Sequence, residues 1–221
     1  MLLEGAYGDL NSEQKRAIGN ISRANDQQID FVEDLLNVSR IEAGRMDFKF
    51  SKCQIKDICQ EVIDSLILKA QNKNLFLEYK NPFEILPEIT VDRGKIREVI
   101  SNLVDNAIKY TIKGGVTVYT ELCARTDERC LLVPHLRITI SDTGIGIPKE
   151  EIPYLFKKFS RGKDINRLNT GGTGLGLYVV KLITEANGGK VWIESAGSGF
   201  GTKFIFELPL EQEKETLEKN G

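Results

Sequence analysis

Asn102 and Asn106 stand four residues apart, with Lys109 three further on, inside a segment whose apolar residues recur at helical spacing. At about 100° per residue, Ile96, Val99, Ile100, Leu103, Ala107 and Tyr110 share one face, and Glu98, Asn102, Asp105, Asn106 and Lys109 share the other. A polar helix face is ordinarily a solvated one. Asparagine, however, is a modest helix former whose amide competes with the backbone, so two in one helix interior lower its stability. An amide oxygen can bind a hard cation, and a lysine can meet a phosphate.

Three further stretches carry complementary chemistry. Gly171 to Leu177 is a glycine-rich loop running into an apolar helix, where backbone N–H groups and a helix N-terminus suit a phosphate. Asp142, Gly144, Gly146 and Ile147 follow an alternating apolar segment. A carboxylate there can accept from an amino group such as that of adenine, and the glycines allow close backbone against a ring. Taken alone, Asp142-Thr143-Gly144 would be a tight turn. Lys157, Lys158, Arg161 and Lys163 lie in a long connection over residues 149–173, suited to covering phosphates or simply solvated. Together the four read as a nucleotide site built from loops over a sheet.

The elements that must position these residues follow from periodicity. Asn11 or Ser12 caps a helix that runs to Ala43-Gly44, with Ile18, Ile21, Ile29, Val32 and Leu36 in its stripe and Asn25 among them. About 32 residues at about 1.5 Å each give roughly 48 Å, and such a stripe implies a second helix or a second chain. Met46 to Phe50 alternates as a strand or extended linker. Residues 54–71 form an amphipathic helix with Ile55, Ile58, Val62, Leu66 and Ala70 on one face. Strands are expected at 75–79, 89–91, 116–120 and 136–140, with a polar hairpin loop at 124–130. A helix from Leu175 to Ala186 stops at Asn187-Gly188-Gly189, and strands at 191–194 and 204–208 close the domain. The expected fold is an α/β (α+β) two-layer sandwich: a mixed sheet covered by helices on one face, preceded by the long helix. The expected divisions are residues 1–46, residues 47–212 and a charged tail at 213–221.

Composition narrows the classes. With 41% hydrophobic and 28% charged residues, the chain has the make-up of a folded globular protein. A net charge of -2 and no basic stretch interleaved with aromatics argue against nucleic acid. No apolar run approaches the roughly 20 residues of a membrane span, and no signal peptide is legible, which makes the cytoplasm the default compartment. Cys53, Cys59, Cys123 and Cys130 lack paired C-x-x-C spacing, which argues against zinc, although Cys123 and Cys130 could face each other across a hairpin.

The four stretches resemble, in order and spacing, the signature boxes of the sensor histidine kinases of two-component systems. Asn102 to Tyr110 is similar to the asparagine box, Asp142 to Pro148 to the first glycine box, Phe156 to Phe159 to the phenylalanine box and Gly172 to Leu177 to the second glycine box. The resemblance implies a kinase domain that binds ATP with Mg2+. It places Asn106 on the metal, Asn102 beside it, Lys109 and Tyr110 near the phosphates and nucleotide, and Asp142 on the adenine amino group. It further implies that Gly144, Gly146 and Ile147 line the base, that Thr202 supports Asp142, and that Arg161 meets the outer phosphates. Thr173, Gly174, Leu175, Gly176 and Leu177 would offer backbone N–H groups.

The family phosphorylates a histidine on the first helix of a dimerisation hairpin and passes the group to an aspartate on a response regulator. Residues 11–44 resemble the second helix of that hairpin, and the first is present only as its last turn. The one histidine, His135, follows Pro134 before a strand and lacks the acceptor context. The chain is therefore expected to bind Mg-ATP without autophosphorylating. Its expected partners are ATP and, in the parent protein, a second kinase subunit and a response regulator, with no membrane contact by this segment. Alternatives are a stand-alone ATP-binding docking module and an ATPase sharing the fold.

Overall fold

The structure, a computed structural model, describes residues 8–81, 86–126, 130, 132–160 and 173–211. The long helix α1 spans Ser12–Glu42. Asn11 caps it: its side chain accepts from the Gln14 N–H at 2.8 Å, and the Gln14 side chain accepts from the Asn11 N–H at 2.9 Å. Gly44, with φ 62, lets the chain turn away after Ala43. The stripe of Ile21, Ile29, Val32 and Leu36 lies exposed along this helix. A different pair, Val38 and Ile41, carries its C-terminal end into the core, and Val38 is buried there.

The rest is a two-layer sandwich. Strand β1 (Phe50–Cys53) pairs antiparallel with β3 (Ile89–Asp92) in a small ribbon. The main sheet holds β2 (Phe76–Lys80), β4 (Gly115–Thr126), β5 (Leu132–Asp142), β6 (Lys190–Glu194) and β7 (Thr202–Pro209). Its order is β2-β4-β5-β7-β6, with β2 parallel to β4 and the other pairs antiparallel, so the sheet is mixed as expected. Helices α2 (Ile55–Gln71), α3 (Arg93–Tyr110) and α4 (Gly176–Ala186) form the second layer.

The core fills the space between the layers. Ile55, Ile58, Val62 and Ala70 of α2, Ile96, Val99, Ile100, Leu103 and Ala107 of α3, and Leu136, Ile138 and Ile140 of β5 are all buried there. Apolar area removed from water at about 25 cal/mol per Å² is the main driving term for such a layer. Helix α3 buries Val104 and Ile108 as well, so its apolar arc is wider than the expected stripe. Asp92 ends β3 and caps α3 through the Lys95 N–H at 2.9 Å, which joins the ribbon to the helix.

The expected hairpin loop at 124–130 is corrected. Strand β4 continues to Thr126, with Ala124, Arg125 and Thr126 opposite Pro134, Val133 and Leu132. Arg125 belongs instead to the sheet face turned away from the helices. Glu121 lies directly opposite Arg137, which also binds Glu207 at 2.7 Å. Arg125 reaches Glu207 at 3.4 Å. Opposite charges across a ladder stabilise it, and the two arginines compensate a Glu207 side chain only 3% exposed. Cys123 lies opposite His135, not Cys130, and all four cysteines are free thiols. The strand expected within Met46–Phe50 starts only at its last residue. The expected tail at 213–221 and residues 1–7 lie outside the described residues. Among the described residues, no helix is long and apolar enough to cross a membrane.

Candidate nucleotide-binding site

The polar face of α3 is half-buried rather than solvated, because α4 packs across it. Asn106 donates from Nδ2 to Asn102 Oδ1 at 2.9 Å. That commits the Asn106 nitrogen and leaves its carbonyl oxygen to offer a hard cation. Gly176, the first residue of α4, lies against Asn102: a Cβ there would come within 2.7 Å of Asn102 Nδ2. No side chain caps α4, so the orphan N–H groups of its first turn start beside the Asn102 amide. Just before it, the Leu175 N–H donates to Thr173 Oγ1 at 3.1 Å, and that hydroxyl donates to Asp34 of α1 at 3.0 Å. Lys109 Nζ sits 5.4 Å from the ring centre of Tyr110.

Asp142 arrives by strand alternation. Leu136, Ile138, Ile140 and Asp142 take the core face of β5, and Asp142 is 7% exposed. Its Oδ1 accepts from the Gly144 N–H at 2.7 Å and from the Thr202 N–H at 3.2 Å. Thr202 thus supports Asp142 with its backbone rather than its hydroxyl. Burial pushes the Asp142 carboxyl up to about 6, against the downward pull of those two amides.

The segment after Asp142 is held from both sides. The Ile145 N–H donates to the Tyr110 carbonyl at 3.2 Å, which ties the first glycine stretch to the end of α3. The Gly201 N–H donates to the Gly144 carbonyl at 3.2 Å. Gly146 has φ 69, and a Cβ there would meet the Gly197 carbonyl oxygen at 2.1 Å, so only glycine fits. Ser195 was not foreseen: its Oγ accepts from the Ile147 N–H at 3.0 Å and donates to the Gly201 carbonyl at 2.8 Å. A polar residue directly after a strand and ahead of Gly197-Ser198-Gly199 was the available signal.

A cavity of about 490 Å³ opens beside Asp142 and Thr202, walled by Lys149, Ile152, Ile193 and Phe200 among others. Asn102, Asn106, Lys109 and the start of α4 do not line this cavity, and the described site residues fall into two adjoining groups. The first holds the α3 amides and the α4 N-terminus, and the second holds Asp142 and its loops. Tyr110 links them through Ile145. Arg161, with Lys163, Gly171 and Gly172, lies outside the described residues.

Comparison with known proteins identifies the family. A family profile described as histidine kinase-, DNA gyrase B-, and HSP90-like ATPase matches residues 91–212. The adaptive-response sensory kinase SasA of Synechococcus sp. (strain JA-3-3Ab) is 33% identical over 213 residues, covering 95% of this chain and 53% of that protein. The sensor histidine kinase WalK of Bacillus subtilis (strain 168) is 31% identical over 190 residues, covering 86% of this chain and 30% of that protein. This chain thus spans only about half, or less, of the relatives it matches. The crystal structure of full-length ShkA in complex with AMPPNP superposes with a TM-score of 0.73 at 26% identity, covering 96% of this chain and 42% of that one. The chain belongs to the histidine kinase-, DNA gyrase B- and HSP90-like ATPase family and carries the ATPase domain of a sensor histidine kinase.

Proposed function

We propose that this chain is the ATP-binding catalytic part of a kinase that passes the γ-phosphate of ATP to a histidine, within residues 47–212, with residues 1–46 as part of a dimerisation hairpin. The observation that carries the reading is the packing of an uncapped helix N-terminus against Asn102, itself hydrogen-bonded to Asn106, in a domain that also buries a carboxylate held by two amides. Mg2+ would take the Asn106 oxygen, with Asn102 setting its orientation. The residues around Thr173 to Leu177 would take the phosphates with Lys109, and Asp142 would accept from the adenine amino group above Gly144, Gly146 and Ile147. Phosphoryl transfer depends mostly on positioning and charge neutralisation, which these groups supply. A second kinase subunit and a response regulator are the partners this reading gives the parent protein.

His135 is not the acceptor in this reading. It sits in β5 on the opposite face from Asp142 and seven residues back, roughly 23 Å along a strand at about 3.3 Å per residue. Its Nδ1 lies 2.9 Å from the Val133 carbonyl. Incubating the chain with radiolabelled Mg-ATP should leave no acid-labile phosphate; a phosphohistidine at His135 would defeat that part. Calorimetry should show Mg-ATP binding that falls by at least about ten-fold in both Asn106→Asp and Asp142→Asn, a loss of about 1.4 kcal/mol or more. Unchanged binding in both folded variants would remove the site assignment.

A further inference from the structure

Every helix leaves its last four carbonyls without partners in the helix. At the end of α3, which carries Lys109 and Tyr110, the carbonyls from Ala107 through the cap residue Thr111 are all met by donors beyond the helix. Lys73 Nζ donates to the carbonyls of Ile108, Lys109 and Thr111 at 2.7, 3.0 and 3.1 Å. The Tyr110 carbonyl takes the Ile145 N–H, and Thr111 Oγ1 reaches back to the Ala107 carbonyl at 2.7 Å. One ammonium therefore closes three of the terminal acceptors, using all three of its protons. It also places a positive charge where the helix dipole is negative.

Lys73 is aimed there by its own turn. Helix α2 ends with the Asn74 N–H bonded to the Gln71 carbonyl and the Leu75 N–H bonded to the Ala70 carbonyl, the two bonds of a Schellman ending. Asn74 has φ 56, a left-handed conformation that asparagine tolerates, and Leu75 is buried. Burial holds the Lys73 ammonium below its usual range, with Lys69 adding to that and Asp105 opposing it. The lysine is thus partly withdrawn from water in order to make these bonds.

We infer that Lys73 is a positioning residue for the phosphate end of the nucleotide site, acting through the backbone of Ile108, Lys109 and Thr111 without touching the nucleotide. This rests on the proposed ATP-binding function. The neighbouring Lys69 binds Asp105 on the exposed side of α3 and touches none of these carbonyls, so it serves as the control. The Asp142 carboxylate itself is held by the Gly144 and Thr202 amides, and Lys73 bonds to neither.

The test is the ratio of ATP to adenosine affinity, by calorimetry for ATP and by competition for adenosine. Lys73→Met should weaken ATP binding about ten-fold and leave adenosine within about two-fold. The loss follows from leaving three helix-terminal carbonyls without their charged donor. Lys73→Gln, which keeps an N–H donor without the charge, should fall between, and it carries the comparison if the Met variant does not fold. Carbonyl carbon NMR shifts of Ile108, Lys109 and Thr111 should move in either variant and stay in place in Lys69→Ala. ATP and adenosine weakening by the same factor, or neither weakening, would overturn the inference. Failure of the ATP-binding function itself would look different: the unaltered chain would bind neither ligand.

Discussion

The Asp142 carboxylate carries two backbone amides on one oxygen and has almost no water around it. The carboxyl is raised from 3.8 to about 6, so the folded chain holds that proton more tightly than the unfolded one. The sign follows by linkage: its contribution to folding stability is fully present below about 3.8 and is lost as the pH rises through about 6. Adenine recognition runs the other way, since accepting from an amino group needs the ionised form. ATP affinity should therefore drop as the pH falls below about 6, approaching ten-fold per pH unit. Calorimetry from pH 5 to 7.5 checks this; a flat profile would detach Asp142 from the base. The place of Asp142 at the end of an alternating strand was legible from spacing, although Asp142-Thr143-Gly144 read alone is a tight turn. Ser195 and Lys73 were not legible, since their partners are backbone atoms far away in sequence.

Gly176 shows what is decided between elements rather than within them. The sequence marks it as a flexible position opening a helix, but the physical constraint is the Asn102 amide 2.7 Å from where its Cβ would stand. Gly176→Ala should leave stability nearly unchanged, or raise it by up to about 1 kcal/mol through helix propensity, while displacing Asn102. ATP affinity should fall several-fold in calorimetry with the melting temperature held or raised; a parallel fall in both would point to simple misfolding. Spacing located α2 and α4 to within a residue at each end. It found β4 and β5 but cut both short, because Glu121, Arg125, Arg137 and Glu207 satisfy one another across the sheet. Charge read one strand at a time resembles a loop; only the register makes it a ladder.

Across the whole molecule, α1 is fastened to the sandwich by two acidic residues. Glu42 accepts from Lys158 at 2.7 Å and from the Tyr178 hydroxyl at 2.6 Å, and Asp34 accepts from Thr173. Hydrogen bonding to Lys158 and Tyr178 holds the Glu42 carboxyl below its usual range. These contacts are exposed and salt-sensitive, so Glu42→Gln should barely change thermal stability yet speed protease cleavage after Ala43 several-fold, more so at low salt. An unchanged cleavage rate would mean that Val38 and Ile41, with the Asp34–Thr173 and Asn37–Glu98 bonds, seat the helix without Glu42. The long helix and its open stripe were legible from spacing; this seating was not, because its partners are single polar residues more than a hundred positions away. The strand order has one more effect, on the timing of synthesis. Strand β7 is the last strand in the chain, yet it lies between β5 and β6 and supplies the second amide to Asp142. A ribosome that has made everything up to Phe200 has made both asparagines, Asp142 and the helix that faces Asn102, but not the Thr202 amide. Asp142 gains that amide only once β7 has emerged, so a nascent chain would meet ATP with this domain already committed to its fold.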